Sequence, residues 1–361
     1  MKRISPILIL VLVSACSGGG DPETSSKAWR VNTTSGAVTA EVAKNVVSWR
    51  DIPYAQPPVG ALRWRAPKPV ESPLGELSVR DNVACLQVAW DGGGIPGDGV
   101  VGAEDCLYLD ITAPVGASAV EPLPVMFWIH GGGNTSGFKG YYDFSTLVES
   151  QQVIVVAINY RLGPFGWFSH PVVQKQAEGL DRSSNFGTLD IIQALSWVQQ
   201  NISEFGGDAK NVTLFGESAG GHNVFALLAS PLSEGLFQKA ISQSGYLKTN
   251  TVEEAINADD DYPRIRRSSS QLFASMVDAG VLADVSTKSA YDVAGNTLME
   301  YYLELNDQGD VPLTTADGIV ISKEGMLAAL ADSSNAKDVP VIAGANRDEV
   351  TLWMSRHRYF V

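Results

Sequence analysis

The sequence predicts an α/β fold: a mostly parallel central sheet with helices on both faces. Three observations carry that expectation. Uninterrupted apolar runs recur at residues 125–129 (VMFWI), 153–158 (VIVVAI) and 212–215 (VTLF), the pattern of strands buried on both sides. Segments with helical spacing lie between and after them. Glycine-rich turns close the first and third runs, as strand-to-loop junctions in such sheets require.

The chain has 361 residues, of which 45% are hydrophobic and 18% charged. That is too apolar for a disordered chain and leaves ample material for a core. Twenty-six Lys and Arg stand against 40 Asp and Glu, a formal charge of −14. Such a field repels polyanions and argues against nucleic-acid binding. Three Cys and four His without paired close spacing argue against a zinc module.

Residues 1–16 read MKRISPILILVLVSAC. A basic start, an apolar run from Ile7 to Val13, and the small residues Ser14 and Ala15 give the layout of an export signal, and the run is too short to span a bilayer. Val13-Ser14-Ala15-Cys16 resembles a bacterial lipobox. The expectation is therefore a signal peptide at 1–15, lipidation of Cys16, a flexible tether through residue 27, and one domain over 28–361. An ordinary signal with an incidental Cys is the alternative. Export would place the protein at a membrane in the periplasm or at the cell surface, or else secrete it. No other run is apolar enough over about 18 residues to cross a membrane.

With Cys16 assigned to lipid, Cys85 and Cys106 remain as an even pair. In an oxidising compartment they are expected to form a disulfide, with two buried free thiols as the alternative. Sequons begin at Asn32, Asn134, Asn201 and Asn211. The one at Asn134 lies in a glycine loop at the candidate site, where a glycan would obstruct it, so all four are read as incidental.

Residues 125–129 form a strand that ends at His130-Gly131-Gly132-Gly133. Residues 153–158 form the next strand. Residues 188–200 (TLDIIQALSWVQQ) are expected to be an amphipathic helix. Residues 212–215 form a third strand, followed by Gly216-Glu217-Ser218-Ala219-Gly220 and a helix over 219–230. Strands are expected near 240–244 and 340–343. Residues 250–335 are polar and helical in character, consistent with a cap or crossover. Trp64, Trp90 and Trp128 are expected to pack in the core or loops.

Gly216 to Gly220 fits G-x-S-x-G between an apolar strand and an apolar helix, the setting of a nucleophile elbow. Glycines two residues on either side remove side chains that would clash at a sharp strand-to-helix turn, and the Ser218 hydroxyl is expected at the mouth of the sheet, above the helix N-terminus. A Ser nucleophile needs oxyanion donors. The glycine loop after residue 129 offers backbone N–H groups without obstructing side chains. Gly132, Gly133 and Ala219 are assigned that role.

Several ordered segments resemble the type-B carboxylesterases, which include the cholinesterases. Ile52-Pro53-Tyr54-Ala55-Gln56-Pro57-Pro58-Val59-Gly60 with Leu62-Arg63 is similar to the family's N-terminal segment. Glu104-Asp105-Cys106-Leu107-Tyr108-Leu109 is similar to its second signature. Asn159-Tyr160-Arg161, Asn185-Phe186-Gly187, Phe205-Gly206-Gly207-Asp208 and residues 215–221 follow in order. The resemblance covers about residues 28–361. It implies an α/β-hydrolase fold, a Ser–Glu–His triad and ester substrates. It also implies a disulfide between Cys85 and Cys106.

Gly344-Ala345-Asn346-Arg347-Asp348-Glu349 resembles the segment bearing the family's acid, which implies Glu349 in that role; Val350 replaces the usual following Gly. Glu217 adds charge beside the nucleophile or is simply a solvated residue at the helix start. The base is the departure. Only His357 follows Glu349, and its surroundings do not match the family's late G-x-x-H. His222 shares the nucleophile helix and is expected behind its reacting face. His130 fits a loop-fixing role, and His170 matches nothing. The reading therefore expects the catalytic His and the last strand or strands beyond residue 361, leaving this chain nearly inactive by itself.

The expected activity is carboxylic ester hydrolysis through an acyl-enzyme, with no metal or organic cofactor. Alternatives are an amidase or carbamate hydrolase, and a non-catalytic adhesion or binding protein on the same fold. Phe138 and residues 250–320 are expected to line or cap the pocket. No match to the family's choline-binding aromatic stands out, and oligomeric state is left open.

Overall fold

The computed structural model describes residues 29–80, 83–89, 95–257, 268–305, 312–334 and 337–349. The proposed leader, Cys16 and the tether lie outside the described residues, as do Trp90 and His357.

The strands in chain order are β1 (Arg30–Asn32), β2 (Ala37–Thr39), β3 (Glu41–Ala43), β4 (Val46–Pro53), β5 (Gln87–Val88), β6 (Val100–Val101), β7 (Tyr108–Pro114), β8 (Leu123–Ile129), β9 (Ile154–Ile158), β10 (Gly207–Glu217), β11 (Lys239–Gln243) and β12 (Val341–Gly344). Eight of them form one sheet in the order β12-β11-β10-β8-β9-β7-β4-β3. Strands β8 to β12 pair in parallel. The β9–β7, β7–β4 and β4–β3 pairs are antiparallel.

The parallel half is the part that apolar runs foretell. Along β8, Val125, Phe127 and Ile129 enter the larger core, while Met126 and Trp128 enter a smaller one on the opposite face. Along β9, Ile154, Val156 and Ile158 go one way and Val155 and Ala157 the other. Side chains alternate across a strand, so burial on both faces makes every position apolar. The antiparallel strands read differently. In β7, Leu109, Ile111 and Ala113 are buried while Asp110 and Thr112 are only partly so. In β4, Val47 and Trp49 are buried while Arg50 is exposed. Their period of two is interrupted by polar residues, and a search for continuous apolar runs passes over them.

The helices Phe186–Asn201 and Ala219–Ala229 supply the larger core; Ser145–Gln151 places Val148 on the opposite face. The expectation of an amphipathic helix at 188–200 is corrected. Twelve of the 16 residues of Phe186–Asn201 are buried, among them Thr188 and Asp190. The polar side is covered because Asp190 receives Arg161: Nη2 donates to Oδ1 at 2.7 Å and Nε to Oδ2 at 2.8 Å.

Residues 250–335 carry the helices Val252–Ile256, Ser269–Asp278, Thr287–Asp292, Gly295–Glu304 and Met326–Ala331. Leu272, Phe273, Met276, Leu298 and Met299 from them join the same apolar cluster as the sheet. Trp64 stacks on Phe168 at 4.9 Å, and Trp128 packs on Phe215 at 4.7 Å. Cys85 and Cys106 form a disulfide with their Cα atoms 4.9 Å apart.

Other buried charges are also paired. Lys139 lies between Asp51, at 2.7 Å, and Asp110, at 2.8 Å. Burial pushes the Asp110 carboxyl above its ordinary value, and the Lys139 ammonium pulls it back. Arg63 grips Glu104 through two bonds, 2.6 and 2.7 Å. Such pairs contribute little net stability while intact, but removing one partner strands the other charge. Lys139→Met, which leaves the buried Asp51 and the partly buried Asp110 without their shared cation, is expected to cost about 3–5 kcal/mol in urea unfolding. Arg30→Ala, which breaks an exposed pair with Glu76, is expected to cost less than about 1 kcal/mol. Similar losses for the two would contradict this account of the buried cluster.

Candidate active site

The site is built where β10 turns into the helix Ala219–Ala229. Ser218 sits between them with φ 56° and ψ −118°, a conformation that costs a non-glycine residue about 1–3 kcal/mol. It is held there from both sides. Its N–H donates to the Gln243 carbonyl at 2.8 Å, and its own carbonyl accepts from the His222 N–H at 2.9 Å. The flanking glycines are demanded by packing. A Cβ on Gly216 would stand 2.6 Å from the Gly220 backbone, and one on Gly220 would collide with the Ile129 carbonyl oxygen at the end of β8. Ser218 is half-buried, and its hydroxyl makes no hydrogen bond among the described residues.

The glycine loop after β8 comes against this turn. A Cβ on Gly131 would stand 3.3 Å from Ser218 Cβ and 2.7 Å from the Glu217 carbonyl oxygen. Gly132 has φ +95° and Gly133 φ +64°, values that side chains disfavour. The His130 ring fixes the first peptide: Nδ1 lies 2.9 Å from the Gly131 carbonyl oxygen, and an oxygen acceptor requires Nδ1 to carry the proton. In a trans peptide the next N–H points opposite to that carbonyl. Gly132 N–H is thereby aimed away from the imidazole. The Gly132 carbonyl accepts from Thr135 N, Ser136 N and both hydroxyls, at 3.0 to 3.2 Å. Gly133 N–H is turned away from that cluster in the same manner. Neither N–H has an acceptor among the described residues. Ala219 N–H, in the first position of its helix, has none within the helix either. The three N–H groups assigned from sequence thus lie on two adjoining elements without an acceptor among the described residues.

Each described histidine is committed elsewhere. His130 stacks on Tyr160 at 4.3 Å, and the Tyr160 hydroxyl donates to the His130 carbonyl at 2.6 Å. His222 donates from Nδ1 to the Tyr246 carbonyl at 2.8 Å, which leaves Nε2 to accept from the Thr314 hydroxyl at 2.8 Å. Burial pushes both imidazoles down to about 4, so both are neutral near pH 7. His170 caps a short helix, accepting the Val172 N–H at Nδ1. None is available as a base to Ser218.

Glu349 follows β12 by a short turn. Gly344, the last residue of β12, pairs with Gln243, which pairs with Glu217. This register brings Glu349 to the same end of the sheet as Ser218. Burial, and then the charge of Glu349, raise the Glu217 carboxyl above its ordinary value, so two acidic groups share this corner. Phe138 is partly buried beside Tyr141, with ring centroids 6.4 Å apart.

Sequence reasoning missed the groups that hold the loop. Gln87 grips Gly137 through both amide atoms, at 2.9 and 3.0 Å. Asn134 is fully buried and bonded through its side chain to Asn223 and Pro312. The available signals were a sequon inside a glycine loop and an Asn in an apolar helix.

A family model described as the carboxylesterase family matches residues 27–358. Para-nitrobenzyl esterase of Bacillus subtilis (strain 168) is 38% identical over 335 residues, covering 90% of this chain and 64% of that protein. Carboxylesterase 1E of Mus musculus is 33% identical over 377 residues, covering 96% of this chain and 63% of that protein. A solved PNB esterase superposes with a TM-score of 0.74 at 34% identity, over 90% of this chain and 64% of that one. The chain spans less than two thirds of the length of these relatives.

The two low histidine values have a consequence for stability. An unfolded chain binds protons at His130 and His222 once pH falls below about 6.5, whereas the folded chain does not until about 4. The unfolded state therefore gains protons first, and stability falls as pH drops through that window, by up to about 1.4 kcal/mol per unit for each histidine. Urea midpoints at pH 7 and pH 5 should separate less in His222→Gln than in the parent. Equal separations would show that His222 is not buried in its neutral form.

Proposed function

Because this chain belongs to the carboxylesterase family, we propose that it carries the nucleophile, acid and oxyanion donors of a carboxylic ester hydrolase. The observation that carries the reading is Ser218 itself: a strained turn presents its hydroxyl beside a loop with two N–H groups, and none of the three is hydrogen-bonded among the described residues. Backbone held in such a conformation persists only where its surroundings enforce it.

The chemistry is acyl transfer. A histidine outside the described residues, oriented by Glu349, takes the Ser218 proton as Oγ attacks the ester carbonyl. Gly132, Gly133 and Ala219 N–H groups receive the oxyanion. The histidine then returns the proton to the alcohol, which leaves. Water, activated by the same base, attacks the acyl-enzyme, releasing the acid and restoring Ser218. Each oxyanion donor is worth about 10²–10³ in rate. Glu217 holds a second negative charge near the forming imidazolium.

The name of the Bacillus subtilis relative points to nitrobenzyl esters as first substrates to try. An amidase or carbamate hydrolase uses the same groups and differs in the leaving group accepted. A binding protein on this fold has no need of the strain at Ser218. The export reading goes with this: a leader at 1–15 and lipid at Cys16 would hold the enzyme at a membrane surface, and the Cys85–Cys106 disulfide suits an oxidising compartment.

The test is turnover of a short-chain nitrophenyl ester by the complete product of the gene. Ser218→Ala is expected to lower kcat by about 10⁶, and a fluorophosphonate should label the parent at Ser218. Turnover retained in Ser218→Ala, or a label on another residue, would overturn the assignment.

A further inference from the structure

Asn134 follows the two oxyanion glycines directly, and the catalytic scheme does not use it. It is fully buried with φ 56°, in the left-handed region. Its carbonyl accepts from Gly163 N–H at 2.7 Å. Its side chain is used at both ends. Oδ1 accepts from Asn223 Nδ2 at 3.0 Å, and Nδ2 donates to the Pro312 carbonyl at 3.1 Å. Asn223 is also fully buried, five residues beyond Ser218 on the same helix. The neighbouring His222 holds Thr314, so residues 312–314 are tied both to the loop and to the helix. Three hydrogen bonds, closed by the backbone between 222 and 223 and between 312 and 314, form a ring through Asn134, Asn223, His222, Thr314 and Pro312.

The glycine loop has two other side-chain anchors. Gln87 ties Gly137 to β5, and the Tyr160 hydroxyl ties the His130 carbonyl to the segment after β9, where Tyr160 also meets the Asn223 side chain. Among the described residues, Asn134–Asn223 is the one direct side-chain hydrogen bond between the glycine loop and the helix Ala219–Ala229, and Asn223 also meets Tyr160, which holds the His130 carbonyl. These two elements carry the three oxyanion donors, two on the loop and one on the helix. Their relative position decides whether the donors converge.

Resting on the hydrolase reading, we propose that Asn134 and Asn223 are positioning residues that set the oxyanion loop in register with the nucleophile helix. Neither touches substrate. Their effect falls on the transition state, where the oxyanion forms, and not on ground-state binding. Without the pair the loop remains attached through Gln87 and His130, but its distance from Ala219 is no longer fixed. A misplacement near 1 Å costs about 10²-fold in rate. The engaged, buried amide also accounts for the sequon at Asn134 being unavailable to a glycan.

The experiment compares Asn134→Ala, Asn223→Ala and the double variant in the complete gene product. Active sites are counted by exhaustive fluorophosphonate labelling and folding by thermal unfolding, with Ser218→Ala alongside. The expected result is a kcat per labelled site about 10- to 10²-fold below the parent, with KM within about threefold. The double variant is expected to be no slower than the slower single variant. If the alanine variants do not fold, Asn223→Leu, of similar volume, is measured in their place. An unchanged kcat per labelled site, or a KM that rises as far as kcat falls, overturns the positioning role while Ser218→Ala remains inactive. Activity surviving in Ser218→Ala overturns instead the hydrolase reading beneath it.

Discussion

The close approach of two backbones at the end of the sheet governs the rest of the structure. Gly220, on the first turn of the helix Ala219–Ala229, passes so near the Ile129 carbonyl of β8 that no side chain fits between them. The helix can descend that far only because Ser218 adopts φ 56° and ψ −118°. The strain is sustained from outside: β11 supplies the Gln243 carbonyl, and β8 closes the other side. A single packing demand thus explains the two glycines, the strained serine, and the arrival of the loop after Ile129 beside the hydroxyl.

The surrounding polar groups serve that geometry. Tyr160 fixes the His130 carbonyl, His130 fixes the Gly131 carbonyl, and the Gly132 carbonyl is claimed by its own turn. Each bond removes an acceptor that could compete for the free N–H groups. The segments that bear the family resemblance gain a physical reason as well. Arg63 and Glu104 form a paired buried charge, Asn159 bridges the Val83 carbonyl and the Lys139 N–H, and Arg161 closes on Asp190. These pairs link loops far apart in sequence, and a partly satisfied network would cost more than an apolar core.

How much of this could be read beforehand follows from the range of each interaction. The parallel strands, the turn at Ser218 and the glycine loop are local patterns, legible in a few consecutive residues. The antiparallel strands β4 and β7 were not, because a half-polar strand alternates and its polar positions resemble loop. The helix Phe186–Asn201 was recognised, but its burial depends on Arg161, 29 residues from Asp190. His222 lies on the helix legible in sequence, yet its partner Thr314 lies 92 residues away. Asn134 matched a sequon, and the pattern concealed a residue whose amide is spent inside the protein. Glu349 was reached through resemblance, since a carboxylate after a strand carries no local mark of its role.

The central claim is that Ser218 faces three convergent backbone amides, and it can be observed directly. The measurement is a crystal structure of the fluorophosphonate adduct. The account predicts phosphorus on Ser218 Oγ, with the phosphoryl oxygen about 2.7–3.1 Å from the nitrogens of Gly132, Gly133 and Ala219. An adduct whose oxygen points to solvent, or whose glycine loop lies out of hydrogen-bonding reach, would contradict it.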